Sequence, residues 1–263
     1  MLTQEEIESS MLECAADSRL ESKFLRDLLN ATVYAFLPIN DDHPRLRVVM
    51  FRQPSDGLHF IPFFTSEWQA LEALGDDRKL FVCGGRTLLE ATRGATLILN
   101  PNRESFTIYP EEVEALLTTG FVANVSSTRL EQPKQICARS PEPIPEKLVS
   151  LLKELYGSLL YIASARLLET WSPENPGART LIICLEVRPP HAERAARATA
   201  NALQTPQTDW GTNIDILSSN PGERRDLFDL GLLIYENFVP DTSEIAPGLP
   251  ARRLGPSDQW PTG

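Results

Sequence analysis

Three prolines alternate with other residues near the middle of the chain, in residues 139–145, RSPEPIP. Proline fixes the backbone φ angle and restricts the residue before it, so this stretch is stiff and extended. We therefore predict a proline-rich linker at 139–146, between a first domain at 1–138 and a second at 147–239. The remaining residues, 240–263, contain further prolines and no apolar period, and are predicted to form a flexible tail.

Helix and strand patterns are mixed in the first half. Thr3 and Glu6 have capping-box spacing at the start of an apolar helical stripe. Two β-branched and aromatic runs, Arg45–Phe51 and Leu58–Phe64, flank an Asp-Gly turn and predict an antiparallel pair. The connections are too short and turn-like for a regular βαβ series. The sequence therefore predicts two α+β domains with mostly antiparallel sheets.

The second half has the same mixture of elements. Strands are predicted at Tyr161–Glu169 and Arg179–Val187, separated by a loop of turn-forming composition at Ser172–Gly177. An alanine-rich helix is predicted from Pro190 to Leu203. Another short helix is predicted at Gly222–Asp229, before a last strand.

Charge and composition narrow the class of function. The formal net charge is -11 and the isoelectric point is about 4.9, so phosphate backbones and anionic lipid are repelled. We expect no nucleic-acid partner and no membrane partner. An acidic start without an apolar block argues against export, and no apolar run reaches the ~18 residues of a membrane span. We therefore expect a cytoplasmic protein.

The four cysteines, Cys14, Cys83, Cys137 and Cys184, are widely separated and form no C-x-x-C pair. We expect reduced thiols that pack as small hydrophobic side chains, and disulfides are the alternative. The three histidines share no ligand spacing with them, so no metal and no cofactor is predicted.

Several motifs occur together in a recognisable order. They are FFTSE at 63–67 before a tryptophan-containing helix, GRTLLEA at 85–91, LILNP at 97–101 and IYPEEV at 108–113. Together they resemble the N-terminal domain of the bacterial SseB family, the enhanced serine sensitivity proteins. In the second half, LIICLE at 181–186 and IDI at 214–216 resemble strands of that family's C-terminal domain. The family's usual ending near PFY is not matched, because IYENF stands at 234–238.

The resemblance implies bacterial, cytoplasmic relatives and a name that comes from a serine-sensitivity phenotype. It implies no established activity and supplies no catalytic residues. Glu111 and Glu112 of the last motif follow Pro110 at a helix start. From their position we expect these carboxylates, together with Glu114, to complement the helix dipole and to face solvent, and an acid–base pair is the alternative.

A strand-to-helix turn at Gly84-Gly85-Arg86-Thr87 offers one candidate site. Such a turn can present backbone N–H groups to an anion, with Arg86 as the charge partner and Thr87 as a donor. It lacks the spacing of the known phosphate loops, and a tight turn alone would also explain the glycines. Cys83 precedes this turn, where a thiolate would be activated, but no base is placed beside it by the sequence. A buried structural cysteine is the alternative.

A cluster of aromatic side chains offers the other candidate. Phe60, Phe63, Phe64 and Trp68 are concentrated in nine residues. One face of this strand should enter the core, and any side chain left at the surface would mark a partner site. Trp260, alone among the prolines of the predicted tail, is a second possible anchor.

The sequence contains no nucleophile or metal signature. We therefore predict a non-enzymatic protein that acts by binding another protein. The alternatives are a thiol-dependent enzyme of sulfur or amino-acid metabolism at Cys83, and a sensor of small anions or amino acids at Gly84–Thr87.

Overall fold

A computed structural model of the chain describes residues 2–39, 47–53, 57–74, 79–103, 105–123, 125, 136–204, 210–223 and 226–237. Trp260 and the rest of the predicted tail lie outside the described residues. None of the described helices is long and apolar enough to cross a membrane.

The first domain mixes helices and strands as predicted. Its elements are α1 (Gln4–Ala16), a 3-10 turn (Ser18–Leu20), α2 (Glu21–Leu29), β1 (Thr32–Leu37), β2 (Phe51–Arg52), β3 (His59–Phe64), α3 (Glu67–Leu74), β4 (Lys79–Gly84), α4 (Gly85–Ala91), β5 (Thr96–Leu99), β6 (Phe106–Ile108) and α5 (Pro110–Thr119). The capping box before α1 is present: the Glu6 N–H donates to Thr3 Oγ1, and Glu6 Oε2 accepts from the Thr3 N–H at 2.8 Å.

The first sheet has the strand order β4-β1-β3-β5-β6, with β2 also beside β3. Strands β3 and β5 are parallel, and the other pairs are antiparallel. Helices α1, α2, α4 and α5 contribute to the larger apolar core on one side of the sheet. Helix α3 packs on the other side, where its Ala70 joins Phe36 and Phe64. The central strands are therefore covered on both faces.

The second domain has a sheet of order β10-β9-β8-β11, with β7 beside β8. Its elements are β7 (Cys137–Arg139), α6 (Glu146–Ser158), β8 (Ile162–Ser172), β9 (Asn175–Val187), α7 (Ala192–Leu203), β10 (Asn213–Ser219), α8 (Asp226–Asp229) and β11 (Leu232–Glu236). Among the strand pairs that the structure describes in this domain, only β9–β10 is parallel. The fold class predicted from the sequence, two α+β domains with mostly antiparallel sheets, is confirmed.

Three local predictions differ from the structure. The start of the predicted linker pairs with β8 instead, since Arg139 lies opposite Glu169 in the second sheet. The predicted loop at Ser172–Gly177 is largely strand, because Ser172 pairs with Asn175 across a tight hairpin. The predicted strand at Arg45–Phe51 is regular only at Phe51 among the described residues, although its antiparallel pairing with β3 is confirmed.

Candidate functional site

Two of the motifs noted in the sequence meet at one end of the first sheet. Strands β3 and β5 run parallel with Phe63 opposite Leu99, so their carboxyl ends lie side by side. The chain leaves β3 through Thr65-Ser66 and leaves β5 through Asn100-Pro101. The parallel pairing therefore brings the FFTSE and LILNP motifs into contact.

Asn100 joins these two turns. Its Oδ1 accepts from the Thr65 N–H at 3.2 Å, and its Nδ2 donates to Thr65 Oγ1 at 3.2 Å. The Asn100 N–H also donates to the carbonyl of Phe63 at 2.9 Å. Asn100 is buried and has a left-handed backbone with φ 46°, a conformation that asparagine tolerates better than most residues. The asparagine thus supplies both the turn geometry and the cross-link.

Glu8 of α1 extends this hydrogen-bond network. Its Oε1 accepts from Gln4 Nε2 at 3.1 Å and from Gln69 Nε2 at 3.1 Å. The Thr65 hydroxyl lies 3.2 Å from the same Oε1 and 3.1 Å from Gln69 Oε1. Oε2 has no donor within the described residues. One oxygen of this carboxylate is therefore held by the protein, and the other is open.

These side chains line a groove of about 450 Å³, which we call the α1–α3 groove. Its lining residues are Glu8, Met11, Leu12, Gln69, Asn100 and Arg103. Its volume is in the range of about 300–1,000 Å³ that small-molecule pockets occupy.

Exposed apolar side chains lie in the groove at Leu12 and beside it at Trp68, which contacts the lining residue Arg103. Leu12 is 60% exposed and Trp68 is 58% exposed. Arg103 stacks over the Trp68 ring, with its Cζ 4.8 Å from the ring centroid, and its Nη2 lies 3.4 Å from Glu72 Oε2. The guanidinium therefore has both an aromatic and a carboxylate partner, and the groove offers fixed polar groups beside free apolar surface.

Comparison with known proteins shows which family the first domain matches. Residues 8–115 match the SseB protein N-terminal domain, a range that begins at Glu8 and contains every other residue lining the groove. Residues 8–115 therefore form an SseB N-terminal domain. The resemblance seen in the sequence is thus confirmed for the first domain.

Two curated relatives bear the family name. Protein SseB of Escherichia coli (strain K12) and Protein SseB of Shigella flexneri are each 27% identical to this chain over 169 residues. Each match covers 60% of this chain and 63% of the relative, so the chain spans less than two thirds of the relatives' length. No solved structure matches the chain.

Within the SseB domain, the four residues of the predicted aromatic cluster differ in their exposure to solvent. Phe63 is 0% exposed and Phe64 is 1% exposed, so the expectation that they could contact a partner is wrong. They lie in a central strand that is packed on both faces. Phe60 is half-buried and lies opposite Phe51, whereas Trp68 reaches the surface at the groove.

The Gly84–Thr87 turn is explained by packing within the SseB domain. A Cβ atom at Gly85 would lie 2.0 Å from the carbonyl oxygen of Leu28, so only glycine fits against the end of α2. The Gly85 N–H donates to the carbonyl of Ala31 at 2.9 Å and is not available to an anion. Arg86 lies 4.0 Å from Glu90 on the exposed side of α4. Anion binding at this turn stays a prediction that these contacts do not favour.

Cys83 precedes the same turn. Burial raises the pKa of its thiol to about 11, which keeps it protonated at neutral pH. All four cysteines are free. Within the described residues no three His, Cys, Asp or Glu side chains are grouped as they would be around a metal ion.

The IYPEEV motif contacts the second domain. Arg197 of α7 pairs with Glu21 of α2, and its Nε lies 2.9 Å from Glu112 Oε1 in α5. The Arg197–Glu112 contact lacks hydrogen-bond alignment and is electrostatic. Glu112 also caps α5, since its Oε2 accepts from the Tyr109 N–H at 2.9 Å. The expectation that Glu112 faces solvent is wrong, because its side chain is completely buried and lies beside Arg197 of the second domain.

Glu111 makes a second ionic contact across the domains. Arg194 Nη2 donates to Glu111 Oε1 at 2.7 Å, and Arg194 Nε donates to Glu111 Oε2 at 3.0 Å. The Arg194 guanidinium also lies 4.7 Å from the centre of the Tyr161 ring. We call the four charged contacts of Arg194 and Arg197 the interdomain ion cluster, formed by Glu21, Glu111, Glu112, Glu193, Arg194 and Arg197.

Sequence reasoning missed Glu8, Asn100 and Arg103. One signal was present for Asn100, since an asparagine before a proline at the end of a strand indicates a specific turn. Gln69 has capping-box spacing to Ser66, and the Gln69 N–H does donate to Ser66 Oγ at 3.2 Å. The Gln69 side chain reaches Glu8 instead of completing the box.

Proposed function

We propose that this protein is a non-enzymatic, cytoplasmic binding protein of the SseB type that holds another protein in the α1–α3 groove. The observation that carries the proposal is the exposure of Leu12 and Trp68 beside a carboxylate that is already fixed in place. Exposed apolar side chains next to oriented polar groups are typical of partner sites, and tryptophan is enriched where binding energy is concentrated.

The rigidity of the groove supports the same proposal. Asn100, Thr65, Gln69 and Glu8 form one connected network across α1, α3 and the two turns. Groups that are ordered before binding lose less conformational entropy when a partner arrives. A network of this kind favours binding, since it holds the polar groups of the groove in one arrangement before a partner arrives.

Two further features fit the proposed setting. The formal net charge of -11 keeps the protein from phosphate and anionic lipid surfaces, which leaves neutral or basic proteins as partners. Free cysteines without any disulfide are typical of a reducing compartment such as the cytoplasm.

A matched pair of positions tests the proposal. A photo-cross-linking amino acid would replace either Leu12 at the groove or Leu160 in the second domain. Leu160 is 74% exposed and follows the end of α6. We expect the Leu12 site, and not the Leu160 site, to capture one protein in stoichiometric yield in intact cells. We further expect Leu12→Asp to abolish co-purification of that protein, and Leu160→Asp to retain it.

Thermal unfolding of both aspartate variants provides the control for folding. Equal capture from the two positions, or retention of the partner by a folded Leu12→Asp variant, would remove the groove from the proposal.

A further inference from the structure

We infer that the occupant of the α1–α3 groove is a segment of a partner protein that places an arginine or lysine side chain on Glu8 and an adjacent apolar side chain between Leu12 and Trp68. This inference rests on the proposed function and specifies the chemistry of the partner. It follows from the geometry of Glu8, from the charges around the groove and from its apolar wall.

The Glu8 carboxylate is oriented before any ligand arrives. Amide groups of Gln4 and Gln69 donate to Oε1, and the Thr65 hydroxyl lies within hydrogen-bond distance of the same atom. Its Oε2 carries no donor among the described residues, and the side chain lines the groove. A carboxylate held in this way is suited to a cationic N–H donor, because charge-assisted hydrogen bonds are stronger than neutral ones.

The charges around the groove favour a cation over an anion. Among the described residues that line it, Arg103 is the one basic residue, and its guanidinium already lies 3.4 Å from Glu72 Oε2. Glu5, about two turns of α1 before Leu12, is exposed. Complementary charge would attract a basic segment to this acidic protein and orient it as it arrives.

The apolar wall selects a peptide over a small cation. Leu12 and Trp68 leave apolar surface exposed, and Met11 also lines the groove. A methionine side chain adapts to irregular partners. A free amino acid or an inorganic cation would satisfy Glu8 but would leave this surface in water, whereas an aliphatic neighbour in a peptide would cover it.

The test uses the full chain and defined peptide probes, followed by amide proton–nitrogen NMR. The probe is acetyl-Gly-Leu-Arg-Leu-Gly-amide, compared with versions that carry citrulline or glutamate in place of arginine, or serine in place of both leucines. We expect the arginine peptide to shift the signals of Thr65, Gln69 and the Trp68 indole. Its Kd should be lower than that of the citrulline peptide by about tenfold or more.

A pair of glutamates on the same helix supplies the matched variants. Glu8→Gln keeps the shape of the side chain and removes its charge, and we expect it to abolish the preference for arginine over citrulline. Glu13→Gln removes a charge from the exposed side of α1, near Lys23, and should leave the preference unchanged.

Several results would overturn the inference. Equal affinity for the arginine and citrulline peptides, shifts confined to another part of the molecule, or no binding by any peptide would each do so. Acetyl-arginine amide binding as tightly as the peptide would make the occupant a small molecule. If cross-linking at Leu12 succeeds while the peptide experiments fail, only the inferred chemistry of the partner is wrong. If the cross-linking itself fails, the proposed function is wrong.

Discussion

Arg197 Nε lies 2.9 Å from Glu112 Oε1, and the two residues belong to different domains. Both are buried, and Arg197 also pairs with Glu21. The electrostatic cost of burying Glu112 is offset by a cation that the second domain supplies. The interdomain ion cluster therefore makes the stability of each domain depend on the other.

Removing Arg197 should destabilise the whole molecule. Arg197→Met leaves Glu21 and Glu112 buried without their cation, and losing one partner of a buried ionic contact costs about 3–5 kcal/mol. We expect a large decrease in the urea midpoint, followed by tryptophan fluorescence. Arg86→Met is the control, because Arg86 and Glu90 are about half exposed and 4.0 Å apart, and exposed pairs of this kind contribute at most about 1 kcal/mol. Similar midpoints for the two variants would contradict this account.

Glu112 should make stability depend on pH. Burial raises its pKa from the ordinary value of 4.5 to about 7, although Arg197 and the Tyr109 N–H act in the opposite direction. The native protein then binds this proton more tightly than the unfolded chain does. The stabilising contribution is fully present below pH 4.5 and is lost as the pH rises to about 7.

The comparison that isolates this effect is between the wild type and Glu112→Gln. Glutamine can still accept from the Tyr109 N–H but does not titrate. Between pH 4.5 and 7, the free energy of unfolding of the wild type should fall by roughly 3 kcal/mol relative to the variant. Burial also raises the pKa of nearby Glu21, and this changes the free energy of unfolding in the same direction in the wild type and the variant. Glu193 lies within the same cluster. Parallel stability profiles over this pH range would show that Glu112 keeps an ordinary pKa.

Gly85 should not tolerate a side chain. A Cβ atom there would lie 2.0 Å from the carbonyl oxygen of Leu28, and a helix end cannot move cheaply. We expect Gly85→Ala to reduce stability by about 1–3 kcal/mol or more, measured by urea unfolding. At Gly84 the nearest contact of a Cβ would be Thr87 Oγ1 at 4.0 Å, so Gly84→Ala should change stability by no more than about 0.5 kcal/mol. Equal effects at the two positions would mean that the turn, rather than the close approach to α2, requires glycine.

Cys83 should be slow to react. Burial raises its pKa from 9.0 to about 11, so at neutral pH its thiolate fraction is about a hundredfold smaller than that of an ordinary thiol. We expect iodoacetamide to label Cys83 slowly in the native protein and rapidly in urea, as measured by peptide mass spectrometry. Cys14, whose pKa burial also raises to about 11, should behave in the same way. Fast native labelling of Cys83 alone would instead favour the thiol-dependent enzyme.

Local patterns predicted much of the fold. The predicted strand at Leu58–Phe64 is β3 (His59–Phe64), and the capping residues Thr3 and Glu6 mark the start of α1. Long-range strand pairing overrode local composition elsewhere. Arg139, in a proline-rich stretch, joined the second sheet, and the turn-forming residues at Ser172–Gly177 were mostly drawn into the β8–β9 hairpin.

Less of the candidate site than of the fold could be predicted from the sequence. Trp68 was predicted as an interaction residue and does lie at the groove rim, but its assignment to binding stays a prediction. Phe63 and Phe64 are aromatic like Trp68, but they lie in a strand between two packed layers. Such a strand has no exposed face. Periodicity shows that such a strand is apolar but does not show how many of its faces are covered.

The sequence by itself determined the two-domain α+β organisation, the capping of α1, the acidic surface and the resemblance of the first domain to SseB, since these follow from neighbouring residues and from composition. Only the tertiary structure decided which distant side chains meet. Glu8 and Thr65 are 57 residues apart and Glu21 and Arg197 are 176 apart. The parallel pairing of β3 with β5 and the docking of α7 place them together, and both are set by the whole packed core rather than by any local pattern.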